Sequence, residues 1–244
     1  MDGVVERLKF YATLVGDSLT RLHVLANPMV RLVFLRQIYF TAVMSLRLLS
    51  GVALVVGAVF VAQITNVLGA DQSLFDLVEV VLARRIAPLA AALIVIGRSA
   101  TAISTELALM RCSGEIEALR GMRIPVHDYL IVPRIAAVTL ATMGCCFYSQ
   151  LIAVIGGFAV SSLMLDVALA DELHRFAENV SLGKLLLGVV KSLFFGFFIA
   201  AIACATGLGA VARATEVPRV PARAFLRSVV AVLAIDAVFL FATL

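Results

Sequence analysis

The chain has 244 residues, of which 62% are hydrophobic and only 15% are charged. Soluble domains carry about 25% charged residues, so this composition excludes an ordinary water-soluble globule and indicates a membrane protein. The formal net charge of +4 could indicate nucleic-acid binding. The basic residues, however, are distributed among the loops in the way that sets membrane orientation, and we therefore predict no nucleic-acid partner.

The first 27 residues have the periodicity of an amphipathic helix. Between Val4 and Leu22, apolar residues recur every three or four positions, and polar residues such as Glu6 lie on the opposite face. This segment is too polar to span a bilayer. We predict that residues 1–27 form a helix in the membrane interface, which Asn27-Pro28 ends. A helix packed on a soluble partner remains an alternative.

Residues 28–244 contain five segments that are apolar enough to cross a membrane, which takes about 20 residues. The first is free of charge from Leu48 to Leu68. The second, Leu74–Met110, is expected to be one bent helix or two half-helices, because Pro88 removes a backbone hydrogen bond. The other three are predicted within Ile135–Leu165, Leu185–Val211 and Ser228–Leu244.

Basic residues concentrate in every second loop, and the loops between them are acidic. The basic segments carry Arg7, Lys9, Arg21, Arg31 and Arg36, then Arg111, Arg120, Arg123 and Arg134, then Arg213, Arg219, Arg223 and Arg227. Basic loops stay in the cytoplasm, so the N-terminus is predicted to be cytoplasmic and the C-terminus extracytoplasmic. The predicted fold is an all-α integral membrane protein, with an N-terminal interfacial helix and five transmembrane helices.

A short polar helix is predicted between the second and third spans, at about residues 113–122. Ser113 can cap its N-terminus, while acidic residues in the first turn and Arg120 at the other end suit the helix dipole. Such a lever fits a groove on a cytoplasmic motor domain. An ordinary loop helix resting on the bilayer remains an alternative. The residues predicted to contact a motor are Glu115, Ile116, Glu117, Leu119, Arg120 and Met122.

Charged residues also occur inside the predicted spans, where each costs about 2.5–3.5 kcal/mol or more. Opposite signs come from different spans, so these charges could neutralise one another within the bundle. We predict that they form a cluster for gating or for binding a substrate, with a purely structural ion-pair network as the alternative. The six residues are Arg84, Arg85, Arg98, Glu106, Lys191 and Asp236.

The sequence has no motif for catalysis or metal binding. It lacks a phosphate-binding loop and a nucleophile triad pattern, and its four cysteines and three histidines do not have metal-ligand spacing. We therefore predict a chain that is not an enzyme, has no metal site and binds no cofactor itself. If it moves a substrate uphill, another subunit must supply the energy.

The segment from Arg84 to Arg134 resembles the signature region of the MlaE/YrbE permease family, the membrane subunits of MCE-type lipid ABC transporters. It reads RRIAPLAAALIVIGRSATAISTELALMRCSGEIEALRGMRIPVHDYLIVPR. The resemblance continues through Arg36-Gln37 and Gln63 in the first span, Lys191-Ser192 in the fourth and the run from Arg223 to Asp236 in the last.

This resemblance implies a homodimer around a lipid-sized cavity in a bacterial inner membrane. It implies a cytoplasmic ABC ATPase that uses ATP and Mg and contacts residues 113–122. An extracytoplasmic MCE-domain protein would carry lipid, and in some members a STAS-domain protein binds the ATPase. The implied cargo is phospholipid, whose headgroup the charged cluster would bind unless that cluster serves gating. The implied role is outer-membrane lipid homeostasis. Residues predicted to line the cavity are Leu54, Ala58, Val61, Gln63, Leu68, Leu233 and Phe239.

The chain departs from the family pattern at several places, including Glu115-Ile116 and the turn from Ile124 to Asp128. Arg85 stands where the family has a glutamate, and Pro218 and Pro221 stand in a segment that is usually glycine-rich. Two other functions remain alternatives: a secondary transporter or channel that uses the intramembrane charges as a proton relay, and a structural membrane anchor for the lipid carrier.

Overall fold

A computed structural model describes residues 28–68, 78–165, 174, 182–210 and 217–242, and every regular element in these residues is helical. The predicted interfacial helix, residues 1–27, lies outside the described residues. The α-helices are α1 (Pro28–Ile38), α2 (Met44–Leu68), α3 (Ala87–Val95), α4 (Thr101–Cys112), α5 (Glu115–Gly121), α6 (Val132–Leu165), α7 (Leu182–Leu208) and α8 (Val220–Ala242). Four π-helical segments, Tyr39–Val43, Val78–Ile86, Ile96–Ala100 and His127–Ile131, and one 3-10 turn, Val217–Arg219, accompany them.

Five of the helices in the described residues are long and apolar enough to cross a membrane. Because a lipid-embedded backbone must satisfy its own hydrogen bonds, a helix is the expected form for each. The all-α class and the five predicted spans are confirmed, while the orientation remains a prediction. The first to fifth spans are Val30–Asn66, Val81–Cys112, His127–Leu163, Leu187–Leu208 and Val217–Phe241.

The second span is one helix rather than two half-helices. It runs without a break from Val78 to Cys112, with α-helical and π-helical turns in alternation. Pro88 lies at the start of α3, directly after the π-helical segment Val78–Ile86, and it has no amide hydrogen to donate to the preceding turn. The α-helix of the fifth span, α8, begins at Val220, earlier than the predicted Ser228.

The spans approach one another closely at glycines. A side chain at Gly57 of the first span would collide with the backbone carbonyl of Ala153 in the third. A Cβ at Gly196 of the fourth span would lie 2.7 Å from the Cα of Thr139, again in the third. Small residues allow such van der Waals contact between membrane helices, for which no hydrophobic driving force exists in lipid.

The third span is the most buried of the five, and the first and fifth are the most exposed. The main hydrophobic core lies chiefly among the second, third and fourth spans. Its largest fully buried side chains are Leu49, Ile96, Ile103, Leu107, Phe195 and Ile199. The first and fifth spans carry most of the large apolar side chains that the described residues expose.

Candidate functional site

The short helix predicted between the second and third spans is present as α5. It begins after Gly114, whose φ of 79° lies in the left-handed region that favours glycine. The prediction that Ser113 caps this helix was wrong, because Ser113 still belongs to the end of α4, and its amide bonds the Leu109 carbonyl at 2.9 Å. Its hydroxyl donates instead to the Glu115 carboxylate at 2.9 Å.

The C-terminal end of α5 is closed by backbone hydrogen bonds. The amide of Ile124 donates to the carbonyl of Leu119, and that of Arg123 to the carbonyl of Arg120, both at 3.0 Å. Arg123 has a φ of 59°. This is the Schellman pattern, in which a left-handed residue ends the helix and satisfies its last carbonyls. The helix is therefore fixed to the chain at both ends.

The side chains of α5 divide into a buried anchor and an exposed face. Ile116 is only 2% exposed, so its side chain packs inside the protomer and does not belong to the exposed face of the helix. Leu119 is half-buried. The exposed residues of the predicted motor contact are Glu115, Glu117, Arg120 and Met122.

Three of the six charged residues that were predicted to form a cluster take part in two ion pairs. Glu106 of the second span pairs with Arg134 of the third, with 2.8 Å between Oε1 and Nη2. Lys191 of the fourth span pairs with Asp236 of the fifth. Arg134 was absent from the predicted cluster because it was assigned to the basic loop. A signal was present: Pro133 indicates that Arg134 already lies inside a helix, where a charge needs a partner.

Lys191 joins three spans. Besides its pairing with Asp236, its Nζ donates to the backbone carbonyl of Arg84 in the second span at 3.3 Å. It also lies over the ring of Phe195, 5.4 Å from the centroid, where a cation is attracted by the aromatic face. Arg84 thus joins this pair through its backbone, and the side chains of Arg84 and Arg85 are half-buried.

Arg98 ties the second span to the first, because its guanidinium donates to the backbone carbonyl of Met44. Arg98 lies within the π-helical segment Ile96–Ala100, and Met44 follows directly after the π-helical segment Tyr39–Val43. Such turns occur often at functional sites. Five of the six predicted charged residues therefore take part in three contacts between spans: Glu106, the Lys191–Asp236 pair with the Arg84 carbonyl, and Arg98.

Most of the residues predicted to line a cavity are accessible. Leu54 and Leu233 are 52% and 51% exposed, Gln63 is exposed, and Ala58 and Phe239 are half-buried. All five lie on the first or fifth span. These side chains are therefore placed where a second protein chain or a lipid could contact them.

Val61, which is also predicted to line the cavity, faces the interior of the protomer. Its side chain is fully buried, and its Cγ2 fills the space beside Gly157 of the third span, where an added Cβ would be 2.5 Å away. The first span turns this side chain inward because the missing Cβ of Gly157 leaves room for it. The side chain of Leu68 lies outside the described residues.

Among the described residues, no group of three or more His, Cys, Asp or Glu side chains is placed to hold a metal ion. The four cysteines are free thiols, and those at 145, 146 and 204 are buried among the spans. The main features of the described residues are helices that are joined by buried charges, and the charged helix α5 at one end of the bundle.

The five apolar helices define a multi-pass membrane protein. Its sequence similarity to known proteins identifies it as a transporter permease. Residues 34–242 match the family model described as Permease MlaE. This chain belongs to the MlaE permease family. The resemblance seen in the sequence is thereby confirmed.

Several relatives have similar sequences over most of this chain. A probable ABC transporter permease protein of Rickettsia prowazekii is 28% identical over 214 residues, covering 86% of this chain and 82% of that protein. Another probable ABC transporter permease protein, from Synechocystis sp., is 29% identical over 180 residues, covering 72% and 68%. The chloroplastic protein TRIGALACTOSYLDIACYLGLYCEROL 1 of Arabidopsis thaliana is 27% identical over 184 residues, covering 72% and 50%.

Proposed function

We propose that this protein is the permease subunit of an ATP-driven phospholipid transporter in a bacterial inner membrane. It works as a homodimer, and a separate cytoplasmic ABC ATPase hydrolyses ATP with Mg. An extracytoplasmic MCE-domain protein exchanges lipid with the dimer, and a STAS-domain protein is a further candidate partner. The transporter serves outer-membrane lipid homeostasis. The permease itself is not an enzyme.

The observation that carries the proposal is the exposed, charged face of α5. Glu115 and Glu117 lie at its start and Arg120 near its end, so a partner groove with the opposite charge order would fix both position and direction. Ile116 anchors the same helix in the bundle. A force applied to the exposed face therefore reaches the spans instead of bending a loose loop.

The exposed first and fifth spans support a lipid-sized cavity between two copies. Leu54, Gln63 and Leu233 are accessible on these spans and are the residues that we assign to its wall, with Ala58 and Phe239 beside them and Val61 left out. A phospholipid has long apolar chains, which such a surface can bind. The Arabidopsis relative also bears the name of a glycerolipid, which supports a lipid cargo.

The proposed mechanism is alternating access. Closure of two ATPase subunits on ATP pushes the two copies of α5, and the cavity between the permease copies changes shape. Lipid then leaves toward the MCE-domain carrier or is accepted from it. The contacts of Lys191 and Arg98 tie spans to one another. We assign them a gating role, in which they hold one conformation of the cavity.

The test is reconstitution of the permease with its ATPase in liposomes that contain a labelled phospholipid, followed by transfer of label to the purified MCE-domain carrier. Wild type should transfer lipid, or take it up, only when ATP and Mg are present. Glu117→Arg should lower ATP-dependent transfer by about tenfold by reversing one charge on α5. Glu117→Asp keeps the charge and is the matched control, with transfer close to wild type.

Two outcomes would contradict the proposal. Transport driven by a proton gradient in liposomes without any ATPase would indicate a secondary transporter or channel. Unchanged lipid transfer in the Glu117→Arg complex, with the ATPase still bound, would indicate that this chain only anchors the lipid carrier. Pull-down of the tagged permease from mild detergent, followed by identification of bound proteins and lipids, would identify partners and cargo.

A further inference from the structure

We propose that Glu106 and Arg134 are positioning residues for energy coupling. Their ion pair closes the base of the α5 hairpin, which we define as residues 106–134 with α5 at the tip, so that the second and third spans move as one body when α5 is pushed. This inference rests on the proposed function, because it assigns a path to the force that α5 receives.

The pair is unusual in its burial. Arg134 has a side chain only 5% exposed, whereas that of Glu106 is 56% exposed. In the part of the chain that the structure describes, the buried Nε and Nη1 of Arg134 have no hydrogen-bond partner. The carboxylate of Glu106 therefore provides the counter-charge that holds a buried guanidinium. Exposed ion pairs contribute little, but a buried charge that loses its partner is costly, so this contact resists separation of its two helices.

The chain between the two residues is stiff at the points where it turns. The amide of Ala118 bonds the carbonyl of Gly114 at 2.9 Å, across the entry to α5. The Schellman bonds close its exit, and the amide of Tyr129 bonds the carbonyl of Pro125 at 3.1 Å at the start of the third span. Stiff turns alone would still allow the second and third spans to separate at the base of the hairpin. The Glu106–Arg134 contact joins the two spans there.

The fourth span is packed against the same base. Gly207 approaches the second span so closely that an added Cβ would lie 2.8 Å from the carbonyl oxygen of Ser104 and from the Cβ of Leu107. These two residues flank Glu106 in α4. Motion of the closed hairpin would therefore carry the fourth span, which bears Lys191 near its other end, in the same direction. The Glu106–Arg134 pair thus lies between α5, which receives the force, and the Lys191–Asp236 pair.

The first measurement needs no ATPase. Spin labels at the exposed positions Leu109 in α4 and Leu140 in α6, introduced in a cysteine-free background, report the distance between the second and third spans in the purified permease. We expect a narrow distribution with the ion pair present. Arg134→Gln should broaden it, and so should Glu106→Gln, which keeps Arg134 intact and serves if the first variant folds poorly. The double variant Glu106→Arg with Arg134→Glu should narrow it again.

The second measurement is lipid transferred per ATP hydrolysed in the reconstituted complex. Arg134→Gln should leave ATP hydrolysis within about twofold of wild type but lower the amount of lipid transferred per ATP by about tenfold. A change of this size is typical of lost coupling between two sites. The double variant should recover most of this loss. A purely stabilising pair would lower the amount of folded protein without changing the ratio.

The proposal is overturned if the spin-label distribution stays narrow in both single variants, or if the transfer ratio of Arg134→Gln equals that of wild type. If wild type itself shows no ATP-dependent transfer, the proposed function fails. The distance measurement then still decides whether the pair holds the two spans together.

Discussion

Lys191 donates a hydrogen bond at 3.3 Å to the backbone carbonyl of Arg84, four residues before Pro88 in the second span. Arg84 lies in the π-helical segment Val78–Ile86, where a carbonyl bonds the amide five residues later, and Pro88 has no amide hydrogen to offer. Lys191 therefore adds a side-chain donor from the fourth span to a π-helical turn of the second. Asp236 of the fifth span pairs with the same lysine, so one side chain joins three spans.

The Lys191–Asp236 pair leads to the first prediction. Lys191→Met should lower the free energy of unfolding by about 3–5 kcal/mol, because Asp236 would remain in the bundle as an unpaired charge. The double variant Lys191→Met with Asp236→Leu should be within about 1–2 kcal/mol of wild type, since apolar replacement of a whole buried pair is often neutral. Unfolding of the purified permease in mixed detergent micelles measures both.

Measurements of lipid transport should show whether this pair has a role in gating as well as in stability. Both variants are expected to lose most ATP-dependent lipid transfer, because the three-span contact is gone even where stability has returned. If the double variant were stable and fully active, the pair would be structural only. A double variant as unstable as the single one would show that the apolar replacements do not pack.

The sequence allowed the five spans to be predicted but not the contacts between them. A segment such as Leu48–Leu68 has few alternatives to a helix, because lipid cannot satisfy its backbone. The partner of Glu106, by contrast, depends on how the second and third helices rotate about their axes. Ile116 and Met122 belong to one apolar ridge in the sequence, yet they are 2% and 63% exposed. That difference arises from packing of the bundle, which no local pattern contains.

A second prediction concerns close packing of the first and third spans. Gly157→Val should destabilise the bundle by about 1–3 kcal/mol, since the new side chain would overlap Val61 and the carbonyl of Gly57. Gly144→Val is the matched control on the same helix, because nothing lies within 4 Å of a Cβ at that position. Equal unfolding midpoints for the two variants would contradict the packing of these spans.

A third prediction separates the anchor of α5 from its exposed face. Ile116→Ala should increase amide hydrogen exchange in residues 115–121 by about tenfold or more, because truncation of a buried isoleucine weakens the docking of this helix. Met122→Ala should leave that exchange nearly unchanged and act instead on binding of the ATPase. Mass-spectrometric exchange on the purified permease tests both variants. Similar exchange in the two would mean that Ile116 does not hold α5 in place.

The orientation of the bundle can be tested with Cys112, which lies half-buried at the end of α4 beside α5, while the other three cysteines are buried. A membrane-impermeant maleimide reacts with accessible thiolates. We expect it to label Cys112 in inverted inner-membrane vesicles but not in spheroplasts, because the basic loops are predicted to be cytoplasmic. His174→Cys, placed in a Cys112→Ser background, should give the opposite pattern, since residue 174 lies between the third and fourth spans and is exposed. Reversed labelling of the two positions would place α5 outside the cytoplasm, where no ATP-driven subunit could push it.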